Sequence, residues 1–167
     1  MDTKYIKIAP EIVLSIGDRT VFKNNDSKGE IIELHINIEN WYGDDLLITN
    51  FNNCIVTEQL KTRLEKDCFT GFEFAKMKVT KDEYFDDNYQ LDNPLPKFFW
   101  MKITGQRNSD DIFFENYDLY VSERMLLFLQ NDFSVNNMEI NPTKSELHSF
   151  ILELIEKDKQ KLKNGNK

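Results

Sequence analysis

Ile55-Val56-Thr57-Glu58-Gln59-Leu60 returns as Tyr120-Val121-Ser122-Glu123-Arg124-Met125, displaced by about 65 positions. The offset holds further along, with Leu64 falling on Leu129, Asp67 on Asp132 and Cys68 on Phe133. Both stretches read alike physically. A short β-branched or aromatic run ends at Thr57 or Ser122, whose hydroxyl can accept a hydrogen bond from the free N–H groups of a following helix. Glu58 and Glu123 then fall in the first turn, where negative charge suits the helix dipole. Leu60, Leu64 and Cys68, like Met125, Leu129 and Phe133, recur every four residues and place one apolar stripe on each helix. Gly71 and Asn136-Asn137 are the candidate terminators, and strands are expected at Phe72 to Val79 and Met138 to Ile140. A unit of this size cannot bury its apolar face alone, so two copies predict a pseudo-symmetric pair sharing one core.

Other elements are read outward from these units. Tyr5 to Ile8 and Ile12 to Ile16 predict a short strand pair around Pro10, and Asn24 to Gly29 a turn. Ile32, Leu34, Ile36 and Ile38 alternate with Glu33, His35, Asn37 and Glu39, which predicts a half-exposed strand, usually antiparallel. Trp41 to Asp45 is a loop leading into Leu46-Leu47-Ile48. Lys81 to Leu95 is an acidic connector anchored by Tyr84, Phe85 and Tyr89. Strands follow at Phe98 to Thr104 and Ile112 to Phe114, around a turn at Gly105 to Asp111. After Pro142, Thr143 and Glu146 fit a capping box, and Leu147, Phe150, Ile151, Leu154 and Ile155 form a helical stripe. A basic tail from Lys157 to Lys167 is expected to fray. The expected fold is α+β: mixed or antiparallel sheets and two strand–helix–strand units, at about 54–80 and 119–141. A C-terminal helix at about 143–160 completes a single domain over 1–167.

Composition narrows the function classes. The 167 residues are 40% hydrophobic and 13% aromatic, enough for a sizeable core, and carry a net charge of −8. With a mean hydropathy of −0.55, no apolar run near the roughly 18 residues of a spanning helix and no signal-peptide core, a soluble, cytoplasmic protein is expected, with no membrane association. Lys and Arg form no basic stripe outside the tail, so nucleic acid is not an expected partner. An acidic surface instead favours a basic protein. Cys54 and Cys68, each inside the apolar pattern, read as reduced core residues without metal spacing.

No catalytic constellation is recognisable, so neither an enzyme nor a cofactor is expected. His35 falls on the polar side of its strand and His148 beside the last stripe; both read as surface residues without a catalytic partner. The recurring polar theme is three carboxylate pairs, Asp44-Asp45, Asp86-Asp87 and Asp110-Asp111. They either keep three turns solvated or form an acidic face that grips Lys or Arg of another protein. Trp41 and Tyr42 beside Asp44-Asp45 favour the second reading there, since large aromatics beside charge are typical interface anchors. The candidate contact surface is therefore Trp41, Tyr42, Asp44, Asp45, Asp86, Asp87, Asp110 and Asp111.

Val56-Thr57-Glu58 through Leu64, then Phe69-Thr70-Gly71-Phe72-Glu73-Phe74, resembles a pattern of some bacterial immunity proteins, the small cytosolic partners of polymorphic toxins. Asp111-Ile112-Phe113 followed by Val121-Ser122-Glu123-Arg124 is similar to a later segment of the group named for a double CxxCG motif. The resemblance covers about 54–133 and rests on helix-capping patterns. This chain has no CxxCG, so no metal tied to those cysteines is expected. The resemblance implies stoichiometric inhibition of a cognate toxin, often a nuclease, without catalysis by the immunity protein. Binding faces vary from pair to pair in such proteins, so it carries no binding residue over. Two other classes stay open: a non-enzymatic adaptor or scaffold of a secretion or phage-related system, and an enzyme with an Asp-built site, which requires two of the Asp pairs to converge.

Overall fold

The structure, a computed structural model, describes residues 4–23, 29–91 and 94–142. The fold is α+β. Among the described residues, three four-stranded sheets carry three helices. The first sheet has the order β10 (Ile112–Glu115), β11 (Asp118–Ser122), β1 (Tyr5–Ala9), β12 (Glu139–Ile140), and is antiparallel throughout. The second has the order β5 (Leu46–Ile48), β6 (Cys54–Thr57), β9 (Phe98–Ile103), β7 (Phe72–Ala75), also antiparallel. In the third, β4 (Ile31–Ile38) pairs antiparallel with β2 (Leu14–Ile16) and β3 (Val21–Phe22), and parallel with β8 (Met77–Lys81).

Helix α1 (Glu58–Lys66) follows β6 directly, and α3 (Glu123–Asp132) follows β11. Each begins where a hydroxyl residue supplies the missing acceptor. Leu60 N donates to Thr57 Oγ1 (3.3 Å), and Met125 N donates to Ser122 Oγ (3.2 Å). The strand pairings match as well. Val56 lies opposite Leu46 and Phe99, while Val121 lies opposite Ile112 and Ile6. Glu58 N bonds Lys97 O (2.8 Å) where Glu123 N bonds Lys4 O (3.1 Å). The strand filling the β9 position in the first sheet is β1, which precedes the rest of its sheet in the chain.

Leu60, Leu64, Met125 and Leu129 enter one core with Val56, Val121, Ile6 and Ile112. A second core joins Leu34, Ile36 and Ile38 of β4 to Leu47, Ile55, Phe98 and Trp100, with Phe85 from the short helix α2 (Phe85–Asn88). The β5–β6–β9–β7 sheet is thus covered on both faces. Two-sided burial explains why Cys54-Ile55-Val56 is a continuous apolar run instead of an alternating one. Among the described residues, no helix is long and apolar enough to cross a membrane.

Several expectations are corrected. The segments 5–9 and 14–16 do not pair with each other; Pro10 and Glu11 carry the chain from the first sheet to the third. Phe72 to Val79 is two strands, broken at Lys76, one pairing β9 and the other β4. The β4 sheet is mixed, and His35 is buried. Gly17 leaves room for its ring, and the neighbouring strands supply its partners. Arg19 N donates to Nδ1 (3.1 Å), which leaves Nε2 to donate to Thr80 Oγ1 (2.9 Å). Helix α1 ends at Lys66, before Gly71, and Cys68, in a left-handed conformation (φ 53°), is exposed and not in the core. Helix α3 ends at Asp132, and Asn136-Asn137 serve another purpose, described below. Residues 24–28 of the Asn24 to Gly29 turn, the helix at 143–160, His148 and the basic tail lie outside the described residues.

The β10–β11 turn has positive φ at both Asn116 (50°) and Tyr117 (66°), the geometry of a two-residue hairpin turn. Glycine suits the second position, yet Tyr117 stands there, 77% exposed. Left-handed backbone costs an L-residue about 1–2 kcal/mol, partly offset by glycine's larger entropy when unfolded. Tyr117→Gly is expected to raise unfolding free energy by roughly 1 kcal/mol in urea titration. A loss of stability would show that the tyrosine ring contributes more than its backbone costs.

Candidate functional site

Two of the three Asp pairs are internal fasteners. Asp44 is fully buried and accepts from Asn136 N (3.1 Å), Asn137 N (2.9 Å) and Asn137 Nδ2 (3.2 Å). Asp45 accepts from Thr57 Oγ1 (2.5 Å) and Ser134 N (3.0 Å). Asp111 accepts from Ser122 Oγ (2.7 Å), Thr70 N (3.1 Å) and Arg124 Nη2 (2.6 Å). The arrangement is reciprocal. Asp45 holds the cap of α1 and reaches the loop after α3; Asp111 holds the cap of α3 and reaches the loop after α1. Asp110 accepts from Gln106 N (2.9 Å) within its own turn.

The expectation that Asp44 lines a partner surface is therefore corrected, since its side chain is buried; Asp45 and Asp111 are half-buried and engaged by donors of the fold itself. Asp86 and Asp87 are exposed, Asp86 paired with Lys81 (2.7 Å). No two of the pairs share a partner among the described residues, nor do these hold a group of three His, Cys, Asp or Glu that could bind a metal.

Trp41 and Tyr42 divide between structure and surface. Trp41 is half-buried, donates from Nε1 to Asp44 O (2.8 Å) and meets Phe98 edge-on at 6.1 Å. Tyr42 points outward, 55% exposed. It lines a cavity of about 540 Å³ with Glu11, Ile12, Glu39, Asn88 and Gln90. Ile12 is 52% exposed, and Leu91, near Gly43, is exposed as well. An exposed apolar set beside polar groups is the character of a binding surface. Neither Glu11 nor Glu39 has a salt bridge among the described residues, and no Lys, Arg or His lines the cavity.

Glu11 reaches this place because its backbone ties to β5: Ile48 N donates to Glu11 O (3.0 Å). Burial, then the nearby Asp44 carboxylate, push its pKa up, against a side-chain hydrogen bond from Asn137. Asp44 is also raised, by burial first, although the three donors from Asn136 and Asn137 oppose it. Asn137, which donates to Asp44, thus also neighbours Glu11. Sequence reading missed Glu11, Ile12 and Glu39. Their signals were a lone Glu-Ile after Pro10 and the last polar position of the alternating strand, neither of which marks a site without the topology.

No protein-family model, no curated protein and no solved structure matches this chain.

Proposed function

We propose that this chain is a cytoplasmic, immunity-type protein that neutralises a basic toxin domain by stoichiometric binding through the Tyr42 face. The observation that carries the reading is the exposed Ile12 and Tyr42 beside Glu11 and Glu39, which no cation pairs among the described residues. Apolar anchors supply contact area, while carboxylates select a basic partner and speed the encounter. A net charge of −8 supports the same polarity at long range. Neutralisation by occupancy needs no chemistry from the chain itself.

The test is affinity capture with the tagged full chain from its source cells, followed by expression of the captured protein alone and together with this chain. One basic partner, toxic alone and harmless in company, is the expected result. Replacing both Ile12 and Tyr42 by aspartate should weaken its binding at least 100-fold, about 2.7 kcal/mol. Leu127→Asp, at an exposed position of α3, should leave binding unchanged. A captured partner that is harmless alone would favour the adaptor reading. Full binding by the Ile12 and Tyr42 variant would remove this face.

A further inference from the structure

We infer that the open edge of β8 takes up an extended, acidic segment of a partner protein as an added strand. This surface shares no lining residue with the Tyr42 cavity, so the inference stands apart from the reading of that face. Among the described residues β8 pairs with β4 alone, which leaves its other side without a neighbouring strand. The ladder shows which groups are free. Asp82 N donates to Ile38 O (2.8 Å), so the groups of β8 that face β4 fall on Thr80 and Lys78, at every second residue back from Asp82. The N–H and C=O groups of Met77, Val79 and Lys81 point the other way, and no hydrogen bond takes them up among the described residues. An unpaired row of this kind is a template for another chain.

A groove of about 560 Å³ opens beside that row. It is lined by Met77 and Val79 of β8 and by Leu95 and Phe99 from the chain around the start of β9. Val79 is 38% exposed, an apolar surface that an incoming strand would cover. Side chains alternate along a strand, so a segment paired here turns every second residue toward the groove. The pattern it asks for is apolar at alternate positions.

Charge selects what stands between them. The charged residues lining the groove are Lys76 and Lys97, with no carboxylate. Lys78 and Lys81 stand on the strand itself, so a chain of net charge −8 places four lysines around one edge. Lys76 has no ion pair among the described residues. Lys78, Lys81 and Lys97 meet Glu33, Asp86 and Glu58 through exposed side chains, pairs weak enough for an incoming carboxylate to displace. Edge lysines also keep a strand from pairing with a copy of itself, because like charges would lie opposite each other. The same lysines favour a strand that carries Asp or Glu.

The experiment is NMR titration and amide-exchange measurement of the full chain with acetyl-Thr-Val-Glu-Val-Glu-Val-Thr-amide at low salt. Shifts at residues 76–81 and 95–99 are expected, with exchange at the Met77, Val79 and Lys81 amides slowed at least tenfold at saturation. Replacing both glutamates of the peptide by lysine should weaken binding at least tenfold. N-methylating its valines and N-methylating its glutamates block opposite edges of the peptide, so one should abolish binding and the other spare it. Lys76→Glu in the protein should weaken the peptide at least threefold, with the remaining amide spectrum showing that the variant is folded. The variant with aspartate at Ile12 and Tyr42 should bind it as the unmodified chain does. Shifts elsewhere, equal binding of the lysine peptide, or equal effects of the two methylations would overturn the assignment. Protection of Met77, Val79 and Lys81 that appears without peptide and rises with protein concentration would give the edge to a second copy of this chain and overturn it as well.

Discussion

Asp111→Ala is expected to lower the unfolding free energy by about 3 kcal/mol, because it strips acceptors from three segments at once. Its carboxylate holds the Ser122 hydroxyl at the start of α3, the Thr70 amide after α1 and the Arg124 guanidinium, with only 13% of the side chain exposed. The Ser122 hydroxyl is buried, and a buried donor left without a partner costs about 1–3 kcal/mol. A cap that loses its orienting partner adds to this, whereas the exposed Thr70 N–H can turn to water. Arg124 is more than half exposed, so the ion pair itself contributes the smaller share. Urea unfolding followed by the fluorescence of Trp41 and Trp100 measures the loss. A change under 1 kcal/mol would mean that water replaces the carboxylate at Thr70 and Ser122 without penalty.

The pH dependence of the same residue has a definite sign. Burial alone would raise the Asp111 pKa, but the bonds from Arg124, Ser122 and Thr70 together outweigh it and the value falls below the ordinary 3.8. A depressed carboxylate pKa stabilises the fold above the unfolded-state value, and that stability is lost as pH drops through the folded-state value. The wild-type acid limb should therefore be steeper below pH 4 than that of Asp111→Asn. Glu11 and Asp44 act in the opposite sense. Their raised values mean the folded state holds protons more tightly, so their contribution grows less favourable as pH rises past the unfolded values.

What the sequence could reveal follows from which forces are local. The caps at Thr57 and Ser122 and the stripes of Leu60, Leu64, Met125 and Leu129 depend on neighbours within four residues, and the structure has them as the pattern predicts. His35 and Asp44 failed as surface residues because burial is decided by what packs across the chain. Thr80 and Gly17 enclose His35, and Asn136-Asn137 enclose Asp44, more than 90 positions away. A loop aspartate reads as solvated until such donors are known. The Tyr42 face was half legible for the same reason. Tyr42 itself stood out by type, whereas Glu11, Ile12 and Glu39 join it only because β2 pairs with β4 and the segment at Glu11 bridges to β5.

Gly71→Ala is expected to cost more than 3 kcal/mol, and three glycines together separate the two reasons why. Gly71 has φ 99°, and a Cβ there would strike the carbonyl oxygen of Ile112 and approach Asp110 Cβ to 2.9 Å. Gly105 packs against the same carbonyl, with its added Cβ 2.7 Å from Gly71 Cα, but its φ is not in the left-handed range. Gly43 shares the left-handed backbone, φ 101°, yet the nearest atom to an added Cβ is Leu91 Cδ1 at 3.9 Å. Gly43→Ala should therefore cost only the backbone strain, about 1 kcal/mol, and Gly105→Ala only the collision, about 3 kcal/mol, since backbone atoms cannot rotate aside. Gly71→Ala bears both. Because Gly71 O accepts from Thr104 N and Gly105 N, each at 2.9 Å, the collision also displaces the loop that presents Thr70 to Asp111. Gly71→Ala combined with Asp111→Ala should then lose less than the sum of the single losses, because the two act on one contact. Strict additivity in that cycle would place the glycine's effect elsewhere and leave Asp111 to fasten the loop alone.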